Sequence, residues 1–518
     1  MMQFFGTDHL KTGMKRRGVR GSAAMFVSRG LIFLLELAGT VVLARLLDPR
    51  DFGLVAMVTL VVNFAILFRD LGLSEATVWA EKTSQELVSN LFWITVAVGM
   101  ALCLLLGALA PVIARFYGEP RLVAITLCLL PSLFFSSLMM QHRALLRRQM
   151  RFGRLAAVNT VAAAAALAVA VVCAAGGLGA WSLVVRQVAA SVFLAAGMWV
   201  LCPWRPGPPR RGAGLRKAVS FGGNLSATRF LQYLLRNADN LLIGRYVGSA
   251  GLGFYTKAYS LLLLPSRQIN NPLSTVVVPI LSRLQNEGER FRVYYRKALG
   301  LTATVTVPLS VFAGVAAYDI IRVVLGQKWD PAARVFLLLA PAAICSSFNV
   351  ATGWVYFALG RMHLQLRIKA VTATLTLVAM GIGVRWGVEG MAIAVSAASV
   401  VFLGPQLAYC YRGTFVSLRD FREGVGLPLL SSFGAGALVL LTAHAARITN
   451  PGAANLCWKA AVFFLLYMLP FVATRPGRRT AAMVADVVNE LRRSSKNTGR
   501  AGPKNRPEDT FPEVEPPC

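Results

Sequence analysis

Two stretches of the sequence decide the fold: VLARLLDPRDFGLVAMVTLVVNFAILFRDLGLSEATV at 42–78 and LIGRYVGSAGLGFYTKAYSLLLLPSRQINNPLSTVVV at 242–278. Each joins two apolar segments through a short turn, and a shift of 200 residues aligns them without a gap. Two arginines and a glycine are identical at equivalent positions of this alignment: Arg29 aligns with Arg229, Arg45 with Arg245, and Gly53 with Gly253. Any two membrane segments share leucines, whereas shared arginines and glycines are more specific. We therefore expect two repeats that face each other, with a site between them.

The composition is that of an integral membrane protein. Of 518 residues, 56% are hydrophobic and 15% are charged, against roughly 25% charged residues in soluble domains. Apolar runs of about 20 residues, each long enough to cross a bilayer core, recur along the chain. The net charge is +31, from 54 Lys and Arg against 23 Asp and Glu. The basic residues lie mostly between apolar runs, which favours a topology signal over nucleic-acid binding.

Fourteen membrane spans can be read from the sequence. They cover 22–46, 52–70, 87–114, 121–141, 155–175, 180–202, 218–244, 253–281, 297–324, 333–359, 364–384, 387–410, 425–446 and 455–474. Lys and Arg are concentrated in alternate connections, such as 142–154 and 203–217, and the opposite connections hold few. Because cytoplasmic loops carry such an excess, this alternation predicts that both termini are cytoplasmic.

The sequence predicts an all-α polytopic membrane protein with two pseudo-symmetric six-helix lobes and two further C-terminal helices. The connection CPWRPGPPRRGAGLRKA is too rich in Pro and Gly to continue a helix and separates the lobes. The predicted order is a basic cytoplasmic N-terminus at 1–21, an N-lobe at 22–202, a cytoplasmic linker at 203–217, a C-lobe at 218–410, two more spans at 425–474, and a cytoplasmic tail at 475–518. The tail pattern is typical of an interfacial helix followed by a disordered end.

No pattern in the sequence indicates an enzyme, a metal site or a cofactor. The eight cysteines include no C-x-x-C pair and the four histidines are far apart, so neither a disulfide framework nor a zinc site is expected. A G-x-x-x-x-G-K loop for ATP is absent. The longest connections are about fifteen residues, too short for the catalytic loop of a membrane glycosyltransferase or polymerase.

Six ionisable residues inside the predicted spans form the candidate site. They are Arg29 and Glu36 in the first span, Arg229, Arg236 and Asp239 in the seventh, and Lys257 in the eighth, and Arg186 in the sixth is a further charge. Each costs about 2.5–3.5 kcal/mol at a helix centre, so such residues usually face a cavity or a partner. The excess of cations predicts a large anionic substrate, because arginine can hold phosphate through two hydrogen bonds.

Simpler explanations remain open for most of these residues. Arg29 and Lys257 are near enough to the ends of their spans to extend their side chains towards water. Arg236 and Asp239 can form a structural ion pair inside the bundle. Arg229 is about eleven residues into its span and is the strongest candidate for a cavity residue.

The chain resembles the polysaccharide-transporter family in four motifs: ARLLDPRDFGLVAM, FRDLGLSEATV, LRNADNLLIGRYVGSAGLGFYTKAYSLLLLP and NNPLSTVVVPILSRL. These proteins are the Wzx-type flippases of the multidrug/oligosaccharidyl-lipid/polysaccharide exporter superfamily, and the WzxC-like branch is the most similar. The resemblance covers about Ser22 to Thr474. Its motifs are specific to the family and not to any one sugar.

The resemblance implies a flippase that moves undecaprenyl-diphosphate-linked oligosaccharide across the bacterial inner membrane by alternating access. Its implied partners are that substrate, membrane lipids, a polysaccharide polymerase and a chain-length regulator. It also implies an ion gradient as the energy source, for which Glu36 and Asp239 are the candidates. A multidrug or cation antiporter of the same fold, which would favour buried acids, and a non-transporting component of polysaccharide assembly are the alternatives.

We predict that Arg229→Gln reaches the membrane in normal amounts but exports poorly. The change removes an insertion cost and also a charge-assisted contact worth about 1.5–3 kcal/mol, a ten- to hundredfold loss of affinity. Arg229→Lys should recover part of the function, since the charge remains. Immunoblots of membranes and the yield of surface polysaccharide are the measurements. Normal export by Arg229→Gln would exclude a substrate role, and loss of the protein would indicate a structural ion pair.

Overall fold

The computed structural model describes residues 14–70, 74, 77, 84–209, 233, 236–445, 451–474 and 477–478. Within these ranges the regular structure is helical and includes no strand. The fifteen α-helices are α1 Met14–Leu46, α2 Pro49–Asp70, α3 Gln85–Tyr117, α4 Arg121–Leu138, α5 Met140–Arg148, α6 Phe152–Ala175, α7 Ala180–Leu201, α8 Ser249–Arg283, α9 Gly288–Val315, α10 Ala317–Val324, α11 Asp330–Ala358, α12 Met362–Gly383, α13 Gly387–Tyr411, α14 Leu418–Ala445 and α15 Ala453–Ala473. A further helical segment at 236–246 precedes α8.

The helices account for the predicted number of membrane spans. Eleven stretches of the described chain are long and apolar enough to cross a membrane, and one of them, 362–411, contains both α12 and α13. The 35-residue α8 is long enough for a further span, and the described segment 236–246 is the end of the predicted seventh span. A helix satisfies its own backbone hydrogen bonds, which is why apolar runs of this length fold as helices in lipid. The predicted class of about fourteen membrane helices is confirmed.

The helices pack as two lobes with a pair of helices outside them. In the N-lobe, α1 packs on α6, α6 on α7, α7 on α4, and α4 on α3. In the C-lobe, α8 and α9 both pack on α11, and α13 packs on α11 and α12. The two last helices lie at the edge of the C-lobe, where α14 packs on α9 and α15 on α14. The predicted architecture of two six-helix lobes plus two C-terminal helices is therefore the observed one.

A reciprocal glycine contact joins the lobes. Gly53 is the fifth residue of α2, and a Cβ there would overlap the backbone carbonyl of Ser249, the first residue of α8. Gly253 is the fifth residue of α8, and a Cβ there would overlap the carbonyl of Pro49, the first residue of α2. Each helix start thus rests on the glycine of the other. Two equivalent contacts between repeat-related residues require a local two-fold pseudo-symmetry axis between the lobes.

Polar contacts reinforce the end of the bundle at which α1 turns into α2, which we call the closed end. Arg45 donates a hydrogen bond of 2.7 Å to the carbonyl of Val323. The Trp329 indole donates one of 2.8 Å to the carbonyl of Ala44, and Lys328 pairs with Asp48 at 2.8 Å. On the opposite side of the pseudo-symmetry axis, the Arg245 guanidinium lies 5.9 Å from the centre of the Phe116 ring. The turns of both repeats are therefore held against the other lobe.

Two local features differ from the sequence prediction. The ninth span was expected at 297–324 but is broken at Ala316, so that α9 begins earlier and α10 is a separate short helix. The break places the Asp319 carboxylate, 1% exposed, against the start of α15, where it accepts hydrogen bonds from Asn455 and Lys459. The expected basic loop at 142–154 contains the short helix α5. Hydropathy reports the mean polarity of a stretch. It therefore does not detect a turn between two apolar helices or a short helix inside a basic connection.

Some predictions lie outside the described residues. These are the first part of the seventh span, including Arg229, and the tail beyond residue 478 with its interfacial helix and disordered end. The proposed lobe boundaries also stay predictions.

We predict that Gly53→Ala and Gly253→Ala destabilise the folded protein by about 1–3 kcal/mol each, because the added methyl group must displace backbone of the other lobe. Gly404→Ala in α13 is the matched control, since a Cβ there meets no atom within 4 Å. The control should be neutral or slightly stabilising, because alanine is the better helix former. Thermal unfolding in detergent measures all three. Equal melting temperatures for the control and the two interface variants would contradict the contact.

Candidate functional site

A cavity of about 440 Å³ lies between the lobes beside the glycine contact. That volume is comparable to the 300–1,000 Å³ of typical ligand pockets. Its walls come from α2, α7 and α8, with the lining side chains Phe52, Val55, Ala56, Thr59, Leu183, Arg186, Gln187, Ala190, Thr256, Lys257 and Ser260. Both lobes contribute to it, so any relative motion of the lobes changes its shape.

The packing of α2 and α8 brings these side chains together. Lys257 follows Gly253 by one helical turn, so the close approach at Gly253 carries Lys257 to the surface of the N-lobe. There its ammonium lies 4.1 Å from the centre of the Phe52 ring. Thr59 donates a hydrogen bond of 3.3 Å to Gln187 and so ties the α2 wall to the α7 wall.

Two cations, Arg186 and Lys257, face the cavity and interact electrostatically with each other. Arg186 forms no hydrogen bond or ion pair with any residue in the described ranges. In the part of the chain that the structure describes, the Lys257 ammonium contacts the face of Phe52 and forms no ion pair. None of the eleven lining residues is acidic. Because low-polarity surroundings screen charge poorly, two cations with no acid on the cavity wall make the cavity attractive to an anion.

Of the five predicted site residues that the structure describes, Lys257 alone lines this cavity. Glu36 is exposed on α1 and close enough to Arg186 for their opposite charges to interact. Arg29 is exposed on the same helix, is absent from the cavity wall, and has no hydrogen-bond or ion-pair partner within the described chain. The place of Arg229 is not described.

Asp239 has a different environment from that of Arg236. Its carboxylate, 5% exposed, accepts a hydrogen bond of 2.9 Å from the Tyr255 hydroxyl and another from the backbone N–H of Asn240. Arg236 is exposed, and these two described residues form no ion pair with each other. In this conformation Asp239 therefore anchors the segment 236–246 to α8. Its role in ion coupling, like that of Glu36, stays a prediction.

Two cations on membrane helices, Arg186 and Lys369, were not assigned to the site from the sequence. Arg186 was noted as a buried charge but not assigned to the site, because nothing in the sequence places α7 beside α8. Lys369 was not among the residues singled out from the sequence, and it lies half-buried on α12. Its ammonium donates to the amide oxygens of Asn349 at 3.3 Å and Gln406 at 3.2 Å, and it is close enough to Arg236 for mutual repulsion.

Comparison with known families and proteins gives a consistent result. A family profile described as "Polysaccharide biosynthesis protein" matches residues 42–334, which is more than half of the chain. The chain is 23% identical over 376 residues to lipopolysaccharide biosynthesis protein WzxC of Escherichia coli (strain K12), covering 71% of this chain and 76% of that protein. It is 27% identical over 310 residues to teichuronic acid biosynthesis protein TuaB of Bacillus subtilis (strain 168), covering 58% of this chain and 63% of that protein.

Among solved structures, the lipid II flippase MurJ in an inward closed conformation matches the fold with a TM-score of 0.70. The match covers 87% of this chain and 97% of that one at 15% identity. At this level of identity the match establishes the fold, including the two-lobed arrangement.

We predict that Arg186→Gln and Lys257→Gln each weaken binding of undecaprenyl diphosphate by about ten- to hundredfold, the loss expected for one charge-assisted contact. Arg385→Gln is the control, because Arg385 is exposed in the turn between α12 and α13, outside the cavity wall. Titration of the purified protein in lipid nanodiscs measures the dissociation constants. Unchanged affinity in both cavity variants would mean that the cavity does not bind the diphosphate.

Proposed function

The chain belongs to the polysaccharide biosynthesis protein family, and from that premise we propose that it is a flippase for undecaprenyl-diphosphate-linked oligosaccharides. It moves these repeat units across the bacterial inner membrane for exopolysaccharide, capsule or O-antigen synthesis. The curated relatives are named as lipopolysaccharide and teichuronic acid biosynthesis proteins, and the matching fold is that of a lipid II flippase. The names of the two relatives concern glycan biosynthesis, and the name of the structural match gives a lipid as its cargo.

One observation carries the proposal: the cavity between the lobes holds Arg186 and Lys257 with no acidic residue on its wall. A diphosphate carries the complementary charge, and Arg186 can hold it through two parallel hydrogen bonds. The ammonium of Lys257 adds a point charge on the opposite lobe. An anion held by both lobes favours their approach, which links substrate binding to the conformation of the bundle.

Translocation requires the closed end to open while the other end closes. The glycine contact lies at this closed end too, and because it joins backbone to backbone, the two helix starts can separate without rearranging side chains. The contacts from Arg45, Trp329 and Lys328 at the closed end must break in the same step. Repeat-related halves that move about a fixed central site are the usual basis of alternating access.

The competing antiporter function is less well supported. A site for organic cations or protons would place acids on the cavity wall, whereas the described wall has two cations and no acid. Glu36, beside Arg186, is the acid best placed to couple transport to an ion gradient. Protonation of Glu36 would leave Arg186 free for the substrate, so this pair offers a route to coupling. We propose no catalytic role for any residue and no cofactor.

We further propose that both termini lie in the cytoplasm and that the protein works beside a polysaccharide polymerase and a chain-length regulator. The alternation of basic loops along the sequence supports the orientation. A multi-pass inner-membrane protein is consistent with the eleven candidate spans of the described chain.

We predict that deletion of the gene stops surface polysaccharide and leaves lipid-linked repeat units on the cytoplasmic leaflet. The reason is that assembly on the far side then lacks its substrate, while synthesis on the near side continues. Mass spectrometry of extracted lipids and a surface polysaccharide assay measure the two effects, with plasmid-borne wild-type protein as the control. Normal polysaccharide in a deletion strain with no related transporter would contradict the proposal.

A further inference from the structure

One face of α8 carries a group of polar residues at 267–275, beyond Lys257. Gln268 and Thr275 follow Lys257 by eleven and 18 residues, which is about three and five turns, so all three lie on the same side. Arg267 and Asn271 flank this line. The side chains of Arg267, Gln268, Asn271 and Thr275 are all exposed. Arg267, Gln268 and Asn271 have no hydrogen-bond or ion-pair partner in the described part of the chain.

Three prolines give the same helix unsatisfied backbone acceptors. Pro265, Pro272 and Pro279 are spaced by seven residues inside α8. Proline has no N–H, so the carbonyl four residues before each one lacks its usual helical partner. These carbonyls belong to Leu261, Gln268 and Thr275, which share the seven-residue spacing and therefore a face of the helix. The polar face thus offers backbone acceptors as well as side chains.

The opposite face of α8 packs on the C-lobe, so the polar face points away from the interior of that lobe. Asn270 donates to Ser347, and the Trp354 indole donates to Ser274 at 2.8 Å, so this side packs on α11. Arg267 interacts electrostatically with Tyr259, which also interacts with Arg236 on the segment 236–246. The polar face begins about two turns beyond Ser260, the last residue of α8 that lines the cavity.

We propose that the exposed face of α8 from Arg267 to Thr275, together with the carbonyls of Gln268 and Thr275, is the surface that binds the glycan of the substrate. This inference rests on the proposed flippase function and adds a division of labour to it. The cations of the cavity bind the diphosphate, and the α8 face binds the sugars that extend from it.

The chemistry of this face matches a sugar better than an ion or a lipid chain. Sugar hydroxyls both donate and accept hydrogen bonds, so a surface for them needs both kinds of group. The amides of Gln268 and Asn271 and the Arg267 guanidinium donate, while the free carbonyls accept. The 18 residues from Lys257 to Thr275 extend about 27 Å along a helix, which is enough for several sugars in a row. An acyl chain would gain nothing from such a surface and would leave its polar groups unpaired.

The test compares two probes on the purified full-length protein in lipid nanodiscs. One probe is undecaprenyl diphosphate, which has no sugar, and the other is the lipid-linked oligosaccharide extracted from cells that lack the protein. Pro272→Ala restores the missing N–H and so occupies the Gln268 carbonyl without changing any polar side chain. The double variant Gln268→Ala/Asn271→Ala removes side-chain contacts instead. Pro111→Ala in α3 is the control, since Pro111 is exposed on a face with Leu104 and Val112.

We expect Pro272→Ala and the double variant each to bind the lipid-linked oligosaccharide about tenfold more weakly, the effect of losing one or two hydrogen bonds. Both should bind undecaprenyl diphosphate as the wild type does, and Pro111→Ala should match the wild type on both probes. Unchanged oligosaccharide binding in both test variants, or an equal loss on both probes, would overturn the inference. A wild-type protein that binds neither probe would instead overturn the proposed flippase function itself.

Discussion

The structure depends on the contact between the starts of two repeat-related helices. Gly53 rests on the carbonyl of Ser249, and Gly253 rests on the carbonyl of Pro49. Any side chain at either glycine would separate the lobes, and the cavity would lose one of its walls. The same contact sets the position of Lys257 one turn further along α8. One constraint on backbone approach therefore determines how the lobes meet and where the charged site forms.

The charge distribution between the lobes follows from the scarcity of acids in the core of the bundle. Asp239 is engaged by Tyr255, and Asp319 by Asn455 and Lys459. These carboxylates serve as anchors for helices, so they do not neutralise the cavity. No acidic residue lines the cavity beside Arg186 and Lys257, in a setting where charge is poorly screened. An anionic lipid headgroup would supply the negative charge that the cavity wall lacks. The polar face of α8 extends the proposed site towards the attached glycan.

The sequence was a good guide to architecture and a partial guide to the site. Apolar run lengths predicted about fourteen helices, and the match of Gly53 with Gly253 predicted facing repeats, because both patterns can be read from the sequence without knowing how the helices pack. Arg186 was not assigned, since its place beside Lys257 depends on packing between α7 and α8. Likewise the Tyr255 partner of Asp239 lies 16 residues away in sequence, and no spacing rule would favour it over Arg236. The break at Ala316 was missed because hydropathy does not detect a turn between two apolar helices.

Cross-linking of the closed end tests the account most directly. Cysteines at Asp48 and Lys328, whose side chains are 2.8 Å apart across the lobes, can be joined by a short thiol-specific reagent in a background free of native cysteines. The measurement is the rate at which lipid-linked oligosaccharide crosses the bilayer of proteoliposomes, before and after reductive cleavage of the cross-link. The account predicts that cross-linked protein is inactive, still binds undecaprenyl diphosphate, and recovers when the link is cleaved. Translocation at the same rate with the closed end locked would contradict it.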